Sequence, residues 1–339
     1  MPSKEEKQAD IKVAFVYYSF SSFVKSDYEI LSKHFDVIKV NYRRIWDAFK
    51  IAKVVLKSDI SLSWFAGGHA FLMVLFSKIF KKKSVVIAGG GDVACVPEID
   101  YGGMRKNKRS RFFAKFVLKH ADVVLAVSKF TKREVLKHTK PKILKVVYNG
   151  IDAEKFKPGG EKKDIVLTVG SLDKSVLKRK GFVTFVKAAK YLPNIKFVLV
   201  GKHIDDSIRY LKSIAPRNVE FTGFVSDEEL LRWYQKAKIY CQLSYYEAFG
   251  LAPAEAMACG CIPVVTNRGA LPEVVGDAGF YVPYGNPKAT AEAIKEALNS
   301  SEGLSKKARK RIKNMFSIER REEKLIKSIS ELIHDEDGI

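Results

Sequence analysis

Short β-rich segments alternate with helical patterns twice along this chain of 339 residues. Each β-rich segment is followed by a longer stretch whose apolar residues recur at helical spacing. Alternation of this kind predicts parallel, doubly wound sheets with helices on both faces, which is an α/β fold. The predicted strands are residues 11–17, 37–40, 60–64, 84–88, 123–127 and 144–147, and then 165–169, 197–200, 219–222, 239–243 and 262–265.

One Pro/Gly and charge cluster interrupts the alternation. Lys155-Phe-Lys-Pro-Gly-Gly-Glu-Lys-Lys163 has the composition of an exposed linker, and the chain is longer than a usual single domain. We therefore predict two Rossmann-like domains facing a cleft, residues 1–157 and residues 158–339. The last residues read as helices, and an amphipathic segment at about 318–334 is a candidate to pack back on the first domain.

The net charge of +22 is concentrated in the first predicted domain. Residues 1–157 contain 31 Lys and Arg against 15 Asp and Glu, whereas residues 158–339 contain 29 against 23. Such a basic surface indicates an anionic partner, which could be nucleic acid, an anionic membrane or a phosphorylated substrate. Because no recognition helix, RNA-binding module or zinc module is evident, nucleic acid is the least expected of the three.

The cysteines and the N-terminus predict a cytoplasmic protein. Four cysteines, at 95, 241, 259 and 261, give neither a disulfide framework nor a zinc-ligand pattern, so we expect buried free thiols. The first twelve residues lack the apolar core of a signal peptide. Residues 60–77 contain no acid, Lys or Arg, but Gly67-Gly68-His69 favours a strand, a turn and a buried helix over a membrane span.

One segment has the features of a phosphate-binding helix start. Ser244-Tyr-Tyr-Glu-Ala-Phe-Gly-Leu-Ala-Pro-Ala-Glu-Ala-Met-Ala-Cys-Gly260 follows a predicted strand and begins a predicted helix, at the sheet edge where open α/β folds bind ligands. Gly250 allows a ligand close to the backbone, and the N–H groups of the first helical turn suit a diphosphate. Glu255 can then reach ribose hydroxyls, and Glu247 can reach a sugar.

This segment resembles the signature of the family 4 retaining glycosyltransferases, which have the GT-B fold. The shared features are two acids separated by seven residues, Phe-Gly-Leu after the first acid, and the weaker similarity that extends over residues 121–291. The resemblance implies transfer of a hexose from a nucleotide sugar to a hydroxyl acceptor. It further implies a diphosphate contact from Lys180, backbone N–H groups from Phe249, Gly250 and Leu251, a ribose contact from Glu255, a base contact near Val225 and a sugar contact from Glu247.

Two departures from the family pattern affect this interpretation. The family usually has an Arg after the Gly at position 170, whereas this chain has Ser171. A predicted basic loop at residues 174–180 offers Lys178 or Arg179 as the missing charge, so we include Gly170, Ser171 and Arg179 in the predicted donor site. The loops at residues 17–22 and 88–94 do not match the family's usual acceptor-side loops, which leaves the acceptor unidentified.

The resemblance also implies a mechanism without a cofactor. Anomeric configuration would be retained by front-face attack, with the leaving phosphate accepting the acceptor's proton. The one Asp-x-Asp pattern is Asp335-Glu-Asp337 in a polar tail, so no metal is expected, and a UDP- or GDP-sugar would be the substrate. The alternatives are a sugar-nucleotide epimerase or phosphorylase of the same fold, or a protein that binds polyanions such as nucleic acid.

Residues 105–119 contain seven cations and no acid, at helical spacing. Two interpretations remain open: a surface helix whose aromatic side chains join the core, or a helix that contacts an anionic membrane surface or a lipid-linked acceptor. The second would make the protein peripheral on the inner face of a membrane. The sequence does not indicate the oligomeric state. The predicted cationic face is Lys108, Arg111, Lys115 and Lys119, and the predicted apolar face is Phe112, Phe113, Phe116 and Val117.

Overall fold

The computed structural model describes residues 11–334, which divide into two compact units, residues 11–149 with 319–334, and Gly150–Ile318. The linker composition predicts a boundary at 157/158, eight residues after the observed one. The difference arises because the intervening residues are bonded to the second unit. The N–H of Ile151 donates to the carbonyl of Phe316 at 2.8 Å, and the guanidinium of Arg309 donates to the carbonyls of Ala153 and Phe156 at 3.1 and 3.0 Å.

The first unit contains a six-stranded parallel sheet. Its strands are β1 (Lys12–Tyr17), β2 (Asp36–Asn41), β3 (Ile60–Trp64), β4 (Lys83–Ala88), β5 (Val123–Ala126) and β6 (Ile143–Val146). They pair in the order β2-β1-β3-β4-β5-β6, and every pairing is parallel. β3 is buried along its whole length, as expected where helices cover both faces of a sheet.

Helices connect these strands. They are α1 (Ser22–His34), α2 (Asp47–Lys57), α3 (Gly68–Ile79), α4 (Gly103–Lys106), α5 (Lys108–His120) and α6 (Lys129–Leu136), with a short 3₁₀ turn at Pro97–Ile99. The basic segment 105–119 is therefore two helices and not one. Asn107 separates them because its backbone is extended (φ −163°) and its side chain accepts a hydrogen bond from the Ser110 N–H at 2.7 Å, which caps α5.

The second unit repeats the architecture. Its strands are β7 (Lys163–Val169), β8 (Lys196–Val200), β9 (Val219–Gly223), β10 (Ala237–Gln242), β11 (Ile262–Thr266) and β12 (Phe280–Val282). They form a parallel sheet in the order β12-β11-β10-β7-β8-β9. The eleven predicted strands are all present, with ends that differ by at most a few residues. β12, with three residues, is the one addition.

The remaining helices connect the strands of this sheet or follow its last strand. They are α7 (Lys174–Lys180), α8 (Phe182–Ala188), α9 (Ser207–Ile214), α10 (Asp227–Lys236), α11 (Leu251–Ala258), α12 (Leu271–Val275), α13 (Pro287–Leu298), α14 (Glu302–Met315) and α15 (Ile318–His334), with a 3₁₀ turn at Ala189–Tyr191. From Glu319 onward α15 belongs to the first unit. The buried guanidinium of Arg321 holds it there by a two-pronged ion pair with Asp27 of α1, at 2.5 and 2.6 Å.

The fold shows the structure of residues 60–77 and the exposure of the four cysteines. Residues 60–77 form β3, a turn and most of α3, as predicted, and within residues 11–334 none of the helices has the length and apolar character needed to cross a membrane. The cysteine prediction was wrong at one position. Cys95 is exposed because it lies in the loop after β4, whereas Cys241, Cys259 and Cys261 are buried free thiols.

Candidate functional site

A crevice is expected where the strand order of the second sheet reverses, between β7 and β10. Gly170 and Ser171 follow the carboxyl end of β7, and the segment from Leu243 to Gly250 follows the carboxyl end of β10. Because parallel strands end at the same edge of a sheet, these two loops lie side by side. The topology therefore brings two parts of the predicted donor site together although they are about 75 residues apart in the chain.

Glu247 is held by a chain of buried hydrogen bonds. The Tyr240 hydroxyl donates to the side-chain oxygen of Gln242 at 3.0 Å, and the Gln242 amide donates to Ser244 at 2.6 Å and to Glu247 at 3.3 Å. The Ser244 hydroxyl donates to the same carboxylate oxygen, Oε2, at 3.2 Å. The chain starts inside β10, so the strand itself sets the position of the carboxylate.

Lys180 forms an ion pair with Glu247, with 3.5 Å between Nζ and Oε2. Each side chain is 15% exposed. Burial lowers the pKa of Lys180 below its usual 10.5, and the nearby Glu247 carboxylate opposes this shift. The guanidinium of Arg179 is close enough to lower that pKa further. Lys180 was predicted to contact the diphosphate of the donor and Glu247 its sugar. In the structure the two side chains lie against each other.

The segment that carries Lys180 is a helix, so the prediction of a basic loop at residues 174–180 was wrong. The Asp173 carboxylate caps α7 by accepting hydrogen bonds from the N–H groups of Ser175 and Val176, at 2.9 and 3.0 Å. The far end of α7 meets the loop after β10, because the Tyr245 N–H donates to the carbonyl of Arg179 at 2.8 Å. This bond brings Lys180 beside Glu247.

The start of α11 presents backbone N–H groups beside this pair. Gly250 precedes the helix with φ +99°, a conformation that favours glycine. The N–H groups of Leu251 and Ala252 belong to the first turn, which has no intrahelical acceptors, and Pro253 has no N–H. Gly269, with φ +62°, packs on Glu247 so closely that a Cβ would lie 2.3 Å from its carbonyl oxygen.

Glu255 lies within α11 and has a different partner. The Tyr234 hydroxyl donates to its Oε2 at 3.0 Å, and burial raises the pKa of the Glu255 carboxyl. Val225, in the loop after β9, is half-buried and packs against the apolar cluster that contains Tyr234. Phe249 is 2% exposed, and its ring packs 5.6 Å from that of Phe316, so its side chain belongs to the core. Ser171 is exposed at the same sheet edge.

The first unit has its own reversal of strand order, between β1 and β3, and polar side chains gather there that the sequence did not single out. Asp92 accepts hydrogen bonds from the N–H groups of Ala66 (2.8 Å) and Gly90 (2.9 Å), and burial raises its pKa. His69 bonds the carbonyl of Trp64 at 2.7 Å, and burial lowers its pKa to about 4. In the sequence, the one feature that could have pointed to His69 and Asp92 as site residues is that they follow β3 and β4 closely.

The four predicted cations of the basic segment, Lys108, Arg111, Lys115 and Lys119, are exposed along α5. The Nε of Arg111 donates to the carbonyl of Met104 at 2.9 Å. The opposite, apolar face is buried only in part: Val117 is fully buried and Phe113 half-buried, but Phe112 is 57% exposed. Of the two interpretations left open by the sequence, burial of the aromatic side chains in the core does not hold for Phe112. Asp335 and Asp337 lie outside the described residues.

Known proteins resemble this chain in sequence and in fold. It is 24% identical over 263 residues to the uncharacterized glycosyltransferase MJ1178 of Methanocaldococcus jannaschii, covering 76% of this chain and 71% of that protein. A second M. jannaschii glycosyltransferase, MJ1607, is 30% identical over 52% of this chain, and the match spans half of that relative. The crystal structure of Anabaena Alr3699/HepE in complex with UDP and glucose superposes with a TM-score of 0.79 at 17% identity, covering 95% of this chain and all of that one.

Two family models match almost the whole described chain. The model for glycosyltransferase family 4 matches residues 8–155, and the model for glycosyl transferases group 1 matches residues 150–315. The point where one match gives way to the other falls close to the division between the two structural units. The superposition on that solved structure over 95% of this chain supports the fold assignment independently. This chain belongs to the family 4 glycosyltransferases and has their GT-B fold.

Proposed function

We propose that the protein is a retaining glycosyltransferase that moves a hexose from a UDP- or GDP-sugar to a hydroxyl acceptor. The observation that carries this proposal is the Lys180–Glu247 pair beside the start of α11, at the reversal point of the second sheet. A cation and a helix N-terminus attract a diphosphate, and an acid held beside them can contact the sugar that the diphosphate carries.

The donor would be distributed over the site as follows. Lys180 and the N–H groups of Leu251 and Ala252 bind the diphosphate, with Arg179 as the second cation in the absence of an Arg at position 171. Glu255, fixed by Tyr234, accepts hydrogen bonds from the ribose hydroxyls. The base lies near Val225, and Gly170 and Ser171 border the diphosphate from the end of β7.

Stabilisation of the leaving diphosphate would supply the largest part of the rate enhancement. As the bond between the anomeric carbon and the phosphate oxygen breaks, negative charge grows on the phosphate, where Lys180 and the α11 N–H groups lie. The acceptor oxygen attacks the same face of the sugar, and its proton passes to the leaving phosphate. Glu247 stabilises the positive charge that develops on the sugar ring. The scheme needs no divalent metal.

A lipid-linked acceptor for the sugar fits the charge of the first unit. The exposed cations of α5 (Lys108, Arg111, Lys115 and Lys119) match the phosphates of anionic lipids or of a lipid-linked acceptor. The protein would then act as a peripheral protein at the inner face of a membrane.

A panel of UDP-, GDP- and ADP-sugars tests the proposal and identifies the donor. A true donor binds the folded state preferentially and so raises the thermal midpoint. At a concentration of 100 times its Kd, it adds roughly 2.7 kcal/mol to the free energy of unfolding. We expect one nucleotide series to do so, and Lys180→Met to weaken the effect. If no sugar nucleotide stabilised the protein at millimolar concentration, the proposal would be wrong. Turnover in the absence of an acceptor would instead favour an epimerase.

A further inference from the structure

Three large apolar side chains lie exposed together where α2 begins. Ile45, Trp46 and Phe49 are 67%, 74% and 74% exposed. Single exposed apolar residues are common on protein surfaces, but three within five residues of the chain form a patch, and such patches usually mark an interaction site. We call residues 43–50 the α2 tip.

The fold holds these side chains outward. Asp47, itself 8% exposed, accepts hydrogen bonds from the N–H groups of Arg43 and Arg44, both at 2.9 Å, and pairs with Lys50 at 2.9 Å. These bonds lower the pKa of Asp47 well below its usual value, so the carboxylate stays charged and the turn stays closed. With Asp47 and Ile51 facing the interior, Trp46 and Phe49 face solvent.

The exposed charged side chains next to the patch in the sequence are all positive. Residues 42–58 contain five cations and one acid, and that acid is Asp47, which is buried. The exposed surface of the α2 tip therefore carries apolar side chains next to the cations Arg43, Arg44 and Lys50. A second copy of the same face would be repelled electrostatically, whereas an anionic, partly apolar surface would be attracted. The cations are Arg43, Arg44, Lys50, Lys53 and Lys57.

The topology places the α2 tip at the sheet edge where α5 begins. α2 follows the carboxyl end of β2, and α5 leads into the amino end of β5, so both helices begin at the carboxyl edge of the first sheet. α2 packs on α3 and α3 packs on α5, which separates the two helix starts by two helix spacings, roughly 16–20 Å. Phe112, 57% exposed, is the corresponding apolar residue near the start of α5.

We propose that the α2 tip is a membrane anchor that inserts Ile45, Trp46 and Phe49 into the interfacial region of an anionic bilayer. Trp is favoured at that depth, and Arg43, Arg44, Lys50 and Lys53 contact lipid phosphates while their alkyl stems lie along the apolar residues. This anchor rests on the part of the proposed function that places the acceptor at a membrane, and it names the residues that would hold the protein there. It does not depend on the donor chemistry, since vesicle binding is measured without sugar nucleotide or acceptor.

Tryptophan fluorescence tests the anchor directly, because the chain has three tryptophans and only Trp46 lies in this patch. Trp64 is 2% exposed and Trp233 lies on α10 of the second unit. With phosphatidylcholine vesicles containing about 30% phosphatidylglycerol, we expect a blue shift of emission and quenching by brominated acyl chains. Trp46→Phe should remove the quenching while vesicles still sediment the protein.

Affinity for vesicles provides the second measurement. Ile45→Ser with Phe49→Ser should lower partitioning by about 10-fold or more, since each insertion contributes on the order of 1 kcal/mol. The thermal midpoint should not change, because both side chains are exposed. Tyr191→Ser, which removes a 57% exposed side chain in the second unit, is the matched control and should bind as wild type does.

Several results would overturn the anchor. These are equal vesicle binding by the double variant and wild type, no quenching of Trp46 by brominated lipid, or a dimer that the double variant dissociates. A larger loss of binding to single-stranded oligonucleotide than to vesicles would assign the patch to nucleic acid instead. Donor-induced thermal stabilisation of the double variant should stay at the wild-type level in every case, so failure of the anchor and failure of the proposed function can be told apart.

Discussion

At the scale of single residues, the proposed donor site would depend on the charge of Lys180. Burial makes its ammonium group easier to deprotonate, and Glu247, 3.5 Å away, opposes that change. A diphosphate would add negative charge to the same environment. Binding of the donor should therefore raise the pKa of Lys180 again.

The expected result is that UDP, or the nucleotide identified by the panel, takes up protons when it binds in alkaline solution. The free protein has a Lys180 pKa below the usual 10.5, so above that lowered pKa the neutral amine must gain a proton to pair with the diphosphate. Affinity should accordingly fall as the pH rises through the lowered pKa. Calorimetry in two buffers of different ionisation enthalpy measures the uptake, and an uptake that persisted in Lys180→Met would contradict this assignment.

The sequence suggests candidate residues for this site, but it does not reveal which side chains they contact. Glu247, Gly250 and Glu255 follow from one contiguous motif, whose strand–loop–helix context is local. The Lys180–Glu247 pair joins residues 67 positions apart, and the bond from Tyr234 to Glu255 joins two different helices. Such pairings depend on how elements pack, which one sequence does not reveal.

At the scale of elements, the central strands were predictable because they are buried on both faces, as β3 and β11 are along their whole length. Errors occurred where local signals were weak or conflicting. α7 was missed because Lys174-Ser-Val-Leu-Lys-Arg-Lys180 lacks a clear apolar period, although Asp173 was an available N-cap signal. β12 has only three residues, and Asn107 splits the basic segment by capping α5.

The attachment of α15 to the first unit gives a prediction about stability. Arg321 is 4% exposed, pairs with the fully buried Asp27 and also donates to the carbonyls of Val147 and Tyr148. Arg321→Met should destabilise the first unit by about 3–5 kcal/mol, because it leaves a buried carboxylate without its cation. Urea unfolding measures the change.

The matched control for that prediction is the double variant Asp27→Leu with Arg321→Met. It removes both charges and should cost less than the sum of the two single changes. A cost below about 1 kcal/mol for Arg321→Met alone would mean that the pair does not hold α15.

At the scale of the whole molecule, two parallel sheets divide the proposed tasks. The second unit carries the motif, the ion pair and the helix start. The first carries most of the excess positive charge, together with the exposed α2 tip and α5. The charge asymmetry was visible in the sequence. The α2 tip was not, because only the fold shows that α2 buries Asp47, Ile51 and Val55 and leaves Trp46 and Phe49 exposed.

The proposed chemistry predicts transfer that is independent of divalent metal. In the proposed scheme, Lys180, Arg179 and the α11 N–H groups would provide the positive charge that a metal ion provides in other transferases. Product formation should therefore be the same with and without EDTA, measured on the donor and acceptor once both are identified. Loss of activity in EDTA followed by recovery on adding a divalent ion would show that a metal is required.

The central claim is that the site around Glu247 performs the transfer, and Glu247→Gln tests it most directly. The change keeps the size and hydrogen-bonding capacity of the side chain but removes the charge that faces the sugar. We predict that the nucleotide still binds, within a few-fold of wild type or more tightly because Lys180 is released, while transfer falls by about 100-fold or more. Nucleotide affinity from calorimetry and sugar transfer from product formation decide the outcome together. Transfer by Glu247→Gln at the wild-type rate would contradict the account.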